Sequence, residues 1–154
     1  MALLLAPLWP GELVAAADYG RWQPSLRGCS MVEPLRKEQS CQLVLLDQLG
    51  VGVYRVRWSA IQARPSGSRQ LTFVGLLIGG SKPMACRQAL CRLQGPITLA
   101  ISNVGTSVFG GNGVAGALPD VRPAAGQCRL AEERIHCEAR APSGELWSAE
   151  AQPR

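Results

Sequence analysis

The sequence predicts an all-β fold: a single small antiparallel sandwich or open barrel of about seven to eight strands, stapled by disulfides. Three observations support this. Apolar residues recur with a period of two in several segments, which is typical of half-buried strands. The 154 residues include 17 Gly and 11 Pro, a composition that favours turns. Six cysteines fall in three close pairs, as in small proteins that rely on disulfides.

The N-terminal residues predict export. An apolar run, Met1–Trp9, is followed by the small residues Val14–Ala17, which fit a cleavage site before Asp18. We therefore expect a signal peptide over 1–17 and one all-β domain over 18–154, with an irregular lead-in to about residue 40. The alternative is an ordinary apolar segment, because no Lys or Arg precedes the run and Glu12 interrupts its end. The run is too short and too broken by proline to be a transmembrane span.

The pattern in the middle of the chain predicts several strands in succession. Apolar residues nearly fill both faces of 41–47, as in a buried strand, whereas 51–61 alternates and places Tyr54, Val56 and Trp58 on one face. The same reasoning predicts a core strand over 71–78 and an alternating strand over 97–102, with Ile97, Leu99 and Ile101 pointing inward. A long glycine-rich connection is expected from Gly105 to Gly126.

The C-terminal part predicts two hairpins. A four-residue loop over 131–134 would bring Leu130 opposite Ile135 and Cys128 opposite Cys137, at a spacing that suits a cross-strand disulfide. A turn over 141–144 follows, because proline and glycine take the second and fourth positions of a type I turn. Trp147, Ala149 and Ala151 should then face inward from the last strand.

The cysteines indicate an oxidising compartment. The nearest-neighbour pairs are Cys29 with Cys41, Cys86 with Cys91, and Cys128 with Cys137, although six cysteines permit 15 connectivities. The alternative is a metal site, but the spacings are wider than the two-residue gap of zinc fingers. The single histidine, His136, would lie on the opposite strand face from Cys137. We therefore predict disulfides and no metal.

A basic segment lies between Asp47 and Asp120, because no acidic residue occurs between them. From it we take Arg55, Arg57, Arg64 and Arg87 as candidate binding residues for anionic polysaccharide, lipid or an envelope protein. The alternative is an ordinary solvated face, since scattered charges need not form one patch.

Neither glycine motif predicts a nucleotide cofactor. Gly111–Gly116 matches G-x-G-x-x-G, but Pro119 and Pro123 prevent the helix that a dinucleotide site requires. Gly75–Lys82 has the glycine spacing of a phosphate loop, yet its serine precedes its lysine and a proline follows. A turn that ends a strand explains it better.

No catalytic set is visible, because His136 is the only imidazole and its expected neighbours on the outer face are Glu138 and Arg140. We therefore expect a non-enzymatic exported module of the periplasm or cell envelope, with a binding or structural role. One alternative is a small secreted inhibitor of a hydrolase, using the Cys86–Cys91 loop with Arg87 at its tip. A second is an enzyme in which Asp47, Asp120 and the C-terminal glutamates converge.

Overall fold

Alternating apolar residues and closely spaced turns produce twelve strands in residues 19–154, the part of the chain that the computed structural model describes. The strands are β1 (Gly20–Trp22), β2 (Leu26–Val32), β3 (Gln39–Ser40), β4 (Leu43–Gly50), β5 (Val53–Ala63), β6 (Ser66–Leu77), β7 (Ala85–Arg87), β8 (Leu90–Arg92), β9 (Ile97–Gly110), β10 (Asp120–Leu130), β11 (Ile135–Arg140) and β12 (Leu146–Pro153). The described residues include no helix long and apolar enough to cross a membrane. The predicted signal peptide, 1–17, lies outside this range.

All twelve strands belong to one mixed sheet, in the order β3-β2-β12-β11-β10-β9-β6-β5-β4-β1-β8-β7. Among the described strands every pairing is antiparallel except that of β1 with β8. The all-β class is therefore confirmed, but the predicted count of seven to eight antiparallel strands is wrong. Short strands at both ends of the order were missed, because two or three residues carry too little periodicity to be recognised.

The passage from β3 to β4 links distant parts of this sheet. The backbone N–H of Cys41 donates to the carbonyl of Cys29 beside β3, at 3.0 Å. The next N–H, that of Gln42, donates to the carbonyl of Ser59 in β5, at 2.9 Å. The sheet is therefore curled, and its inner face surrounds one core.

The core forms from the inward positions that the alternation predicted. Tyr54, Val56 and Trp58 of β5 are fully buried, as are Ile97 and Leu99 of β9. Burial of one face explains the register, because a slip of one residue would turn every apolar side chain toward solvent.

Both predicted C-terminal hairpins are present. Cys128 pairs with Cys137 and Leu130 with Ile135, in the expected register. The loop between them is closed by the N–H of Ala131, which donates to the carbonyl of Arg134 at 3.0 Å. The second turn has the Gly144 N–H donating to the carbonyl of residue 141, at 2.9 Å.

Two segments differ from the prediction. The supposedly irregular lead-in contains β1, β2 and β3, which pair with β4, β12 and β2 respectively. The supposed connection from Gly105 to Gly126 is mostly strand, since β9 continues to Gly110 and β10 begins at Asp120. Hydrogen bonds to distant strands create these elements, as where Gly67 of β6 pairs with Gly110. Sequence periodicity does not report such partners.

All six cysteines form disulfides, and each bond joins neighbouring strands or their ends. The pairs are Cys29–Cys41, Cys86–Cys91 and Cys128–Cys137, with Cα–Cα distances of 5.0, 4.0 and 4.0 Å. Three disulfides are typical of proteins that leave the reducing cytosol.

Candidate functional site

One buried carboxylate on the outer face of the sheet is surrounded by three arginines. Asp47 of β4 is only 5% exposed. Its Oδ1 accepts from Arg21 Nε at 2.6 Å, and its Oδ2 lies 3.1 Å from Arg55 Nη2 and 3.0 Å from Arg57 Nη2. The three guanidinium groups come from β1 and β5, the two strands that flank Asp47.

The pairing register explains why these groups meet. Arg21 is the cross-strand partner of Asp47 on one side, and Arg55 is its partner on the other. Cross-strand partners share a face, so all three side chains point outward while Leu46 points into the core. Arg57 lies two residues beyond Arg55 on the same face.

The cluster keeps an excess of positive charge. Three guanidinium groups face one carboxylate, which leaves a local net charge of +2. Within residues 19–154 no other carboxylate forms an ion pair with these arginines. Their side chains are 46%, 36% and 21% exposed in the order Arg21, Arg55 and Arg57, so N–H groups that Asp47 does not use face solvent.

The arginines also determine the ionisation of Asp47. Burial by itself would raise the pKa of this carboxyl group, because it disfavours the charged form. The hydrogen bonds from Arg21 and Arg55 and the charge of Arg57 outweigh burial, so the pKa lies below its ordinary value. Asp47 is therefore ionised at neutral pH and holds the three guanidinium groups in place.

A cleft of about 480 Å³ opens over this cluster. Arg21, Arg55 and Asp47 form its polar side. Leu49 and Leu90, which are 49% and 75% exposed, lie on its apolar side. The cleft thus combines cationic groups with exposed apolar surface.

The β7–β8 hairpin forms one wall of the cleft. It is attached to β1 by the N–H of Arg21, which donates to the carbonyl of Ala89 at 2.9 Å, and by the parallel pairing of Arg21 with Leu90. Gly20 permits this approach, because a Cβ there would lie 2.5 Å from Cys91 Sγ and 2.9 Å from the Ala89 carbonyl oxygen. The Cys86–Cys91 disulfide clamps the two strands of the wall.

A buried hydrogen-bonded pair supports the floor of the cleft from the inner side. The hydroxyl of Tyr54 donates to Gln48 Oε1 at 2.7 Å and accepts from the N–H of Met84 at 3.3 Å. Burial raises the pKa of Tyr54, and the Met84 N–H opposes it only in part, so the hydroxyl stays protonated. Gln48 is next to Asp47 in β4, and this pair therefore holds that part of the strand in position.

The structure brings together only some of the predicted binding residues. Arg55 and Arg57 meet at Asp47. Arg87 is the last residue of β7 and pairs with Leu90 of β8, which in turn pairs with Arg21 of β1. Arg87 therefore lies two strands away from Arg21, at the same level of the sheet. Arg64 lies in the turn after β5, about 20 Å along that strand from Arg57.

Two further arginines differ from the sequence-based expectation. Arg21 was missed because it precedes the acid-free segment, and nothing local in the sequence connects it with Asp47. Arg69, a member of the basic segment, instead forms an ion pair with the buried Glu33 near the end of β2. Its charge is therefore neutralised at another place in the fold.

In the part of the chain that the structure describes, no metal-ligand cluster accompanies the cleft. Across 19–154 there is no group of three or more His, Cys, Asp and Glu residues arranged to hold a metal ion. His136 lines a separate pocket of about 350 Å³ with Glu138 and Arg140, the neighbours that strand alternation predicted.

Comparison of the chain with protein families, with curated proteins and with solved structures finds no match.

Proposed function

We propose that this chain is a non-enzymatic, exported binding module that holds an anionic ligand in the cleft over Arg21 and Arg55. The observation that carries the proposal is the excess of guanidinium groups over carboxylate at an open cleft: Arg21, Arg55 and Asp47 line it, and Arg57 contacts Asp47 from beside it. Arginine suits this role, because its planar fork of donors matches the oxygens of carboxylates and phosphates.

Asp47 serves as the internal anchor of the site. It occupies one edge of each guanidinium group and restricts the side-chain rotamers before a ligand arrives. Preorganisation of this kind lowers the entropy lost on binding. The excess charge remains to attract the ligand, and exposed N–H groups remain to contact it.

The three disulfides support an exported location for the protein. They fit an oxidising compartment, and we infer that the protein works in the periplasm, in the cell envelope or outside the cell. Anionic polysaccharides, lipid headgroups and acidic patches of envelope proteins all present the required chemistry there.

A charge-matched pair of variants tests the site. The double variant Arg21→Gln/Arg55→Gln leaves Arg57 to neutralise Asp47, so the fold should survive. The control Arg27→Gln/Arg129→Gln removes the same charge from exposed positions outside the cleft. The affinity for inorganic phosphate is measured by titration calorimetry at low ionic strength. It should fall at least tenfold in the first variant and less than twofold in the control. Equal weakening in both would show that only overall charge matters, and the site assignment would be wrong.

The hydrolase-inhibitor alternative would use the Cys86–Cys91 loop. Gln88 and Ala89, rather than Arg87, are at its tip, where they take left-handed φ values of 52° and 62°. Such a tight turn is rigid, which suits recognition, but it is not the extended strand by which a peptide adds to a binding edge. Assays of envelope and extracellular hydrolases with and without the protein test this alternative. Reproducible inhibition that disappears when the Cys86–Cys91 disulfide is reduced would support it.

A further inference from the structure

The cleft has an apolar half that the proposed anion site does not use. Tyr19, Leu49 and Leu90 line it and are 62%, 49% and 75% exposed. Large apolar side chains that gather beside a charged site mark a binding surface more often than scattered ones do.

The register shows how close the two halves are. Leu90, Arg21, Asp47 and Arg55 are successive partners across β8, β1, β4 and β5. Leu49 lies two residues beyond Asp47, at a bulge in β4, and lines the same cleft as Asp47. Tyr19, which precedes β1, lines that cleft as well. Cationic and apolar side chains thus lie next to one another on one surface.

We infer that the ligand is a small amphiphilic anion, with one acidic group on Arg21 and Arg55 and an alkyl or similarly apolar part along Leu49 and Leu90. This inference rests on the proposed anion-binding function and goes further by naming the class of ligand. A purely inorganic anion would leave the three exposed apolar side chains without a partner. A purely apolar ligand would leave the guanidinium excess unmatched.

The dimensions limit the apolar part. Two residues along a strand span about 6.6 Å, a length that an alkyl chain of about five carbons covers. The cleft volume, about 480 Å³, lies in the range usual for small-molecule sites. A monomeric ligand with a short chain therefore fits the site, whereas an extended polymer would make contacts mainly outside it.

A homologous series tests the inference. Inorganic phosphate, butyl phosphate, hexyl phosphate and octyl phosphate are titrated calorimetrically into the protein below their aggregation concentrations. Affinity should rise about two- to threefold per methylene up to about five carbons and then level off, because an open cleft covers one side of the chain. The heat-capacity change should become more negative over the same range.

Two variants separate the halves of the site. Leu49→Ser/Leu90→Ser should abolish the dependence on chain length while it leaves the affinity for inorganic phosphate within twofold. The control Leu118→Ser removes a 92% exposed leucine in the β9–β10 loop and should change neither. Far-UV circular dichroism checks that each variant is folded.

Each outcome has a distinct meaning. If phosphate binds and chain length has no effect, the amphiphile inference is wrong and the anion site stands. If neither the series nor vesicles of phosphatidylglycerol bind, the proposed function fails and this inference with it. If the alkyl phosphates do not bind as monomers but the protein binds vesicles of phosphatidylglycerol, a bilayer surface is the partner and the monomer inference is overturned.

Discussion

Replacement of Asp47 by Asn should change stability and ligand affinity in opposite directions. The substitution preserves the size of the side chain but removes its charge. The arginines then lose their anchor, which destabilises the fold, while the net charge under the cleft rises from +2 to +3. A purely structural ion-pair network predicts only the first effect.

The loss of stability follows from the exposure of the partners. Removal of one member of a buried ion pair costs about 3–5 kcal/mol, whereas fully exposed pairs contribute less than about 1 kcal/mol. Asp47 is buried, but the guanidinium groups of Arg21, Arg55 and Arg57 are 46%, 36% and 21% exposed. We therefore expect a loss of about 2 kcal/mol, which corresponds to a fall in Tm of roughly 4–8 °C for a domain of this size.

The gain in affinity follows from Coulomb's law. An anion held by Arg21 and Arg55 would lie about 6 Å from the Asp47 carboxylate, where repulsion amounts to about 1–3 kcal/mol for effective dielectric constants between roughly 80 and 20. The cleft is open to solvent, so the lower figure applies. Because about 1.4 kcal/mol is tenfold in Kd, removal of the repulsion is worth about three- to fivefold in affinity. Loss of the preorganisation that Asp47 provides offsets part of this gain, so inorganic phosphate should bind about two- to threefold more tightly to the variant.

Asp120→Asn is the matched control. Asp120 also contacts an arginine, Arg122, at 3.2 Å, but its side chain is 62% exposed. The control changes net charge equally and should shift stability by less than about 0.5 kcal/mol. Urea unfolding and phosphate titration measure the two quantities. Weaker phosphate binding in Asp47→Asn, or equal strengthening in both variants, would refute the reasoning.

The pH dependence of unfolding gives a third readout. The unfolded chain protonates Asp47 at its ordinary pKa of 3.8, and the folded chain does so only at a lower pH, because its pKa is lowered. The stabilisation is therefore fully present above pH 3.8 and is lost as the pH falls through the folded pKa. Asp47→Asn should lack this component, so the two stability curves should converge in acid.

Three other expectations can be tested by unfolding and mass spectrometry. Arg69→Gln leaves the buried Glu33 with only its longer contact to Arg36, at 3.5 Å, and should cost about 1–3 kcal/mol in urea unfolding, whereas Arg134→Gln at an exposed pair should cost less than about 0.5 kcal/mol. Gly126→Ala should cost more than about 3 kcal/mol, because its Cβ would overlap the Glu138 carbonyl oxygen, whereas Gly28→Ala meets nothing within 4 Å and should be nearly neutral. Intact mass after alkylation should show no free thiol before reduction, and a labelled cysteine would contradict the disulfide assignment.

The predictions from sequence that proved correct depend on features local in the chain. Strand alternation depends on neighbouring residues, so the inward faces around Trp58 and Leu99 could be predicted, and both side chains are fully buried. The hairpin from Cys128 to Cys137 could be predicted because a short loop limits its possible registers.

The sequence by itself therefore determined the all-β class, the buried face of the main strands and the Cys128–Cys137 pairing, since each depends on residues close together in the chain. Only the tertiary structure decided which residues form the proposed binding site. Arg21 and Asp47 are 26 residues apart, and they meet because β1 lies between β4 and the disulfide-linked β7–β8 hairpin. Hydrogen bonds between distant strands select those neighbours, and side-chain period carries no information about them.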